Sequence, residues 1–165
     1  MKNIIENRTR TFDWADPMIG AKSAMKMSGY DYLKSIADGD LPMPPIMSLM
    51  GVDNCDVDKG YMRFEFNAEE YHYNTIGGVH GGVFSTLLDS CISCAIHTTL
   101  PQGVGFSTID LKVNFIRPIT IETGLVICEG NAIHTGRKTA VGEGRLLDAS
   151  GKLLATASVT CLILS

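Results

Sequence analysis

The chain has 165 residues, 18 acidic and 14 basic, for a net charge of −4. This length suits one domain with a core that needs no disulfide staples, and 45% hydrophobic residues exclude a disordered chain. The acidic balance argues against a nucleic-acid binder, which would show a basic face.

Residues 1–13 carry scattered charges and no apolar run, so no signal peptide is expected there. No uninterrupted apolar stretch is long enough to cross a membrane. The five cysteines are odd in number and sit mostly among apolar neighbours, as free thiols do. A reducing, cytoplasmic location is expected. Residues 1–50 read as an N-terminal helical arm, too poor in apolar mass to form a core of its own. Ser28 is placed to cap a helix, with Asp31 in its first turn, Gly39 past its end, and Tyr30, Leu33 and Ile36 or Ala37 on one face. The run from Leu41 to Pro45 ends it and predicts an extended segment.

Residues 51–165 read as the main body of a chain that is one domain overall. Met62, Phe64 and Phe66 alternate with polar residues and predict a half-buried strand. Glu69 to Gly78 is a polar loop. Gly81 to Thr99 predicts a helix that is apolar on nearly every face, with Asp89 as its one formal charge. Alternation then predicts strands at 109–115, 138–147 and 155–163. The continuous run Leu125–Cys128 predicts a strand covered on both faces. Asp148 to Gly151 has hairpin-turn composition. Four consecutive strands imply an antiparallel meander curled around the one long helix, an α+β arrangement. Its open edges, and the low charged share of 19%, point to pairing between subunits.

The segment from Asn74 to Asp89 carries the chemistry. A glycine-rich loop runs into a helix N-terminus, where Gly81 and Gly82 allow close approach of a ligand to unpaired amides. Such amides can hold an oxyanion. Asp89 stands eight residues after Gly81, about 12 Å along a helix. That is too far to serve one small reacting group. The two groups can share a site only if one copy gives the amide and another gives the acid, which predicts a homodimer.

Asn74, His80-Gly81-Gly82, Leu87, Asp89, Ser107, the run Asp110 to Pro118 and Gly136-Arg137-Lys138 resemble the PaaI-like, 4-hydroxybenzoyl-CoA thioesterase-type branch of hotdog-fold acyl-CoA thioesterases. The resemblance spans residues 60–164. It implies the hotdog fold and hydrolysis of an acyl-CoA thioester to a carboxylic acid and CoA. Asp89 would attack the thioester carbonyl or activate water. Gly81 N–H would hold the thioester oxygen, Asn74 would orient the nucleophile or water, and His80 would position the thioester or tighten the loop. Ser107 would hold the attacking water near Asp89. Gly82, Arg117, Gly136, Arg137 and Lys138 would meet the CoA. No cofactor or metal is implied, because CoA is part of the substrate. The implied assembly is a homodimer or a dimer of dimers, with no nucleic-acid or membrane partner.

Two other readings use the same residues. A hotdog hydratase or dehydratase would pair His80 with Asp89 for proton transfer at carbon. A non-catalytic acyl-CoA-binding module would keep the fold alone. Cys91, Cys94 and His97 recur every three residues, but they drift around a helix and lack a second zinc-spaced pair. Small residues packed on a sheet are the expectation there. Gly142-Glu143-Gly144 lies inside a strand pattern and precedes no helix, so it is no dinucleotide fingerprint.

Overall fold

The structure, a computed structural model, describes residues 7–164. Residues 1–6, part of the stretch expected to lack a signal peptide, and Ser165 lie outside the described residues. Three short helices form the arm: α1 (Pro17–Ala24), α2 (Gly29–Ala37) and α3 (Pro45–Met50). The Ser28 hydroxyl caps α2 by accepting the Asp31 N–H at 3.2 Å. Leu33 and Ile36 of α2 are buried. The proline run is extended only as far as Pro44. Pro45 opens α3, where a proline has no intrahelical N–H bond to lose. Gly51 ends α3 in the left-handed region at φ 73°, immediately before the first strand.

The fold is the expected α+β hotdog: a curled antiparallel sheet with one long helix, α4 (Gly81–His97), against it. The strands are β1 (Val52–Asp58), β2 (Tyr61–Asn67), β3 (Gly105–Phe115), β4 (Leu125–Thr135), β5 (Thr139–Asp148) and β6 (Leu153–Leu164). Their order in the sheet is β1-β2-β4-β5-β6-β3.

The sheet departs from the expected meander in two ways. First, β1 adds an edge strand that hydropathy conceals. Its sequence, VDNCDVD, has three acids in seven residues because an edge strand with a wet face needs little apolar surface. Second, β3 does not pair with β4. It runs antiparallel to β6 at the far edge, and only β4, β5 and β6 form a meander. The both-sides-buried reading of Leu125–Cys128 also fails. Val126 and Cys128 are fully buried, while Leu125 and Ile127 are only half so.

The helix lies close to the middle of the sheet because glycines there leave room for it. Gly130 on β4 pairs with Gly144 on β5. A Cβ on Gly130 would stand 2.7 Å from the Cys91 carbonyl oxygen, and one on Gly144 would stand 2.7 Å from Ile92 Cγ1. Cys91, Ile92 and Ile96 of α4 are fully buried against this floor. The Gly142-Glu143-Gly144 run is therefore a packing device. Cys91 Sγ lies 3.2 Å from the Met62 carbonyl, and His97 packs against the tilted rings of Tyr32 and Phe106. The cysteine–histidine spacing thus spreads around the helix into packing contacts.

Candidate active site

The loop before α4 is folded by its own polar groups. Asn74 Oδ1 accepts the N–H groups of Ile76 at 2.9 Å and Gly78 at 3.3 Å. This turn consumes the carboxamide oxygen and leaves the Asn74 NH₂ to donate outward. His80 is the N-cap of α4: its Nδ1 accepts the Gly82 N–H at 2.8 Å. His80 is therefore spoken for as a loop-tightening residue, with Nε2 carrying the proton in the neutral ring. Gly82 has its amide occupied by that cap.

Gly81 differs. Among the described residues its N–H makes no hydrogen bond, and as the first residue of α4 it lies at the positive end of the helix dipole. Asn74, Gly81 and Arg117 line one groove of about 440 Å³, walled by Phe84 and Phe115. The Phe115 ring covers Gly81 so closely that an added Cβ would stand 3.2 Å from it. Arg117 is exposed at the rim and donates to the Leu153 carbonyl at 2.5 Å. Three of the residues singled out in the sequence are thus gathered here: an amide donor, a carboxamide donor and a cation.

Asp89 is not in that groove. It lies midway along α4, about 12 Å from Gly81. It is half-buried, and the Thr108 hydroxyl of β3 donates to its Oδ1 at 2.9 Å. Burial pushes the neighbouring Cys94 thiol up to about 12, helped by Cys55 and by the Asp89 charge. Burial also raises Cys161, against a lowering hydrogen bond from Thr108. Both thiols therefore stay protonated at neutral pH.

The hydroxyl on Asp89 belongs to Thr108 and not to Ser107, which is exposed. The register explains the difference. Counting back in steps of two from Leu111 puts Ser107 on the helix side. A bulge between Thr108 and Asp110 shifts the phase by one residue and turns Thr108 inward. Ile109 keeps the apolar alternation in the sequence yet is 58% exposed in the fold, so the sequence carries no trace of the bulge.

Gly136, Arg137 and Lys138 form the β4–β5 turn, where Arg137 and Lys138 are exposed. This turn lies by the C-terminal end of α4: Thr99 Oγ1, just past the helix, is 2.8 Å from Thr135 Oγ1. Within one chain the turn and the Gly81 groove stand at opposite ends of a helix about 24 Å long. His80, at the start of α4, and Asp89, midway along it, are likewise apart within one chain, so these two do not form a hydratase-like pair there.

Comparison with known proteins agrees with this fold. The thioesterase superfamily model matches residues 76–155. A provisionally named esterase of Saccharolobus solfataricus is 31% identical over 126 residues, covering 74% of this chain and 80% of its own. The 1,4-dihydroxy-2-naphthoyl-CoA hydrolase of Listeria monocytogenes is 26% identical over 119 residues, covering 72% of this chain and 94% of its own. Among solved structures, a thioesterase-named, phenylacetic acid degradation-related protein of Ralstonia eutropha superposes with a TM-score of 0.69 at 28% identity. That match covers 79% of this chain and 98% of the other. Fold and relatives define a class, the hydrolases of thioesters. Within it, this chain belongs to the thioesterase superfamily. Residues 1–75, which include the arm and Asn74, lie outside the family match. No helix among the described residues is long and apolar enough to cross a membrane.

Proposed function

We propose that the chain hydrolyses acyl-CoA to a carboxylic acid and free CoA, acting as a homodimer in which each site draws on both copies. The observation that carries this reading is the unpartnered Gly81 N–H in the groove, with Asp89 two turns away on the same helix. The name of the Listeria relative, a CoA-thioester hydrolase, supports the substrate class.

In this reading the thioester oxygen accepts the Gly81 N–H, and the Asn74 NH₂ orients the attacking group. The partner's Asp89 takes a proton from water. The water oxygen adds to the carbonyl carbon, and the developing oxyanion is held by the Gly81 amide. The C–S bond then breaks, its electron pair leaves on sulfur, and the CoA thiolate takes up the proton. Direct attack by the carboxylate is the variant of this scheme, with water cleaving the resulting anhydride. Thr108 fixes the carboxylate, and Ser107 is left for a second-rank contact to water. His80 holds the loop that carries Gly81. Arg117 and the Gly136-Arg137-Lys138 turn meet CoA phosphates, the turn reaching the groove of the other copy. No cofactor takes part, and the enzyme works in the cytoplasm.

The subunit edge has a natural candidate. β3 is a sheet edge of 11 residues with Ile109 and Phe115 more than half exposed, and such an edge invites a second copy. A dimer of dimers extends the same scheme. The test is thiol release across an acyl-CoA panel with the mass measured by light scattering under assay conditions. A dimer or tetramer that releases thiol is expected. A fully active monomer overturns the shared site. Tight acyl-CoA binding without thiol release would make the chain a binding module, and enoyl-CoA hydration would make it a hydratase.

A further inference from the structure

We infer that the arm builds the acyl pocket, and that the pocket takes an unbranched aliphatic tail of about six to eight carbons. The inference rests on the acyl-CoA reading and adds the class of acyl group. An apolar cavity of about 200 Å³ lies between the arm, the β1–β2 edge and α4. Ile36 of α2, Met43 of the proline run and Met47 of α3 wall it on one side; Met62 and Phe64 of β2 wall it on the other. Ser90, Ser93 and Cys94 of α4 complete it.

These last three residues tie the cavity to the chemistry. Ser90 follows Asp89 directly, and Ser93 lies one turn along the same face. Cys94 is near enough for the Asp89 charge to help raise its thiol. Asp89 itself is not in the lining: its carboxylate turns to Thr108 of β3, at the opposite edge of the sheet from β1 and β2. Ser93, one helical turn along from Asp89, links the two sides, so a tail leaving a carbonyl held beside Asp89 reaches the chamber past Ser93.

The chamber's size and lining select the occupant. An apolar cavity of about 150 Å³ holds one benzene, so about 200 Å³ holds roughly eight carbons. Three of the wall residues are methionines, unbranched side chains that adapt to a flexible chain. The polar groups are few: two hydroxyls and a thiol on α4 and the Cys55 thiol on β1, with the Ser93 hydroxyl already bonded to the Ser90 carbonyl at 3.3 Å. A hydroxylated aromatic acid would bury its hydroxyl among apolar walls without a partner there, which is costly.

The roof is built to stay. Gly29 N–H donates to the Leu100 carbonyl at 3.1 Å, and α2 passes so close to the end of α4 that a Gly29 Cβ would stand 1.8 Å from the His97 carbonyl oxygen. The arm and the β1–β2 wall of the chamber both precede the family match, which begins at residue 76.

The test compares kcat/KM for acetyl-, butyryl-, hexanoyl-, octanoyl-, decanoyl- and dodecanoyl-CoA in the wild-type protein, Met43→Trp and Ile46→Trp. Met43 is half-buried and Ile46 is 44% exposed, so either site admits a large ring without breaking the core. The wild type is expected to gain up to about fourfold per added methylene as far as octanoyl, then to level off or fall. Both variants are expected to lower the octanoyl-to-acetyl ratio by about tenfold or more. A wild-type profile with no rise toward octanoyl, or variants that slow acetyl- and octanoyl-CoA equally, overturns the chamber while leaving the thioesterase reading in place. Absence of cleavage at every chain length removes the reading beneath it as well.

Discussion

Asp89→Asn isolates the chemical role of the carboxylate. The amide is nearly isosteric, and its Oδ1 can still accept the Thr108 hydroxyl that now lies 2.9 Å away. Packing around Asp89 on α4 is therefore preserved, and the melting temperature is expected to stay within about 2 °C of wild type, as for a substitution worth under about 0.5 kcal/mol. What disappears is a group that can take a proton or attack carbon. General-base catalysis contributes about 10²- to 10⁴-fold, so kcat should fall by that factor. Thr108→Val provides the graded comparison. It keeps the carboxylate and deletes its one hydrogen bond. At a half-exposed site that bond is worth about 1 kcal/mol after solvent screening, or about fivefold in rate. Ser107→Ala should cost less than Thr108→Val, since Ser107 faces outward. Thiol release at saturating acyl-CoA gives kcat, and a melt followed by circular dichroism gives stability. An Asp89→Asn enzyme within tenfold of wild type would remove Asp89 from the mechanism. Equal losses from Ser107→Ala and Thr108→Val would show that the β3 bulge does not orient the site as described.

The remaining expectations concern packing, acid stability and the CoA handle. Gly130→Ala sets a Cβ 2.7 Å from the α4 backbone and should cost about 2–3 kcal/mol, lowering Tm by about 4–12 °C, and an unchanged melt would contradict the close helix–sheet contact. Burial, with the Arg10 charge second, holds His72 below its ordinary 6.5, and its Nδ1 accepts the Glu69 N–H at 3.0 Å. Because the unfolded chain takes the proton more readily, stability is complete above about pH 6.5 and is lost as pH falls through the lower folded value; melts of His72→Gln across pH 5–8 should show a shallower acid decline, and an identical slope would assign it elsewhere. Replacing both Arg137 and Lys138 by Ala should raise KM for acyl-CoA, more at low salt, while leaving kcat and a short nucleotide-free thioester unaffected. Equal loss on the truncated thioester would make the two residues supports of the fold.

Local patterns in the chain were enough to read the helix, its glycine-rich entrance and most of the strands. An apolar helix interrupted only by Asp89 is legible because burial demands apolar residues on every covered face, so a lone charge stands out. The Asn74–Gly82 loop is legible because turn chemistry is local: a side-chain oxygen bonds its own backbone within four residues. The separation of Gly81 from Asp89 also follows from spacing alone. What escaped the sequence was decided by contacts between distant residues. Nothing in β3 states that its partner is β6, since alternation fixes which face is apolar and not which neighbour it pairs with. The acid-rich β1 is held by ladder bonds to β2 rather than by its own hydropathy. Thr108 displaces Ser107 at Asp89 because one extra residue in a bulge reverses the phase of everything before it. The chamber under the arm exists only because α2, β2 and α4, far apart in the chain, close on the same space. A periodic pattern carries the shape of one element, whereas register, bulges and cavities are properties of pairs of elements, and these only the folded chain determines.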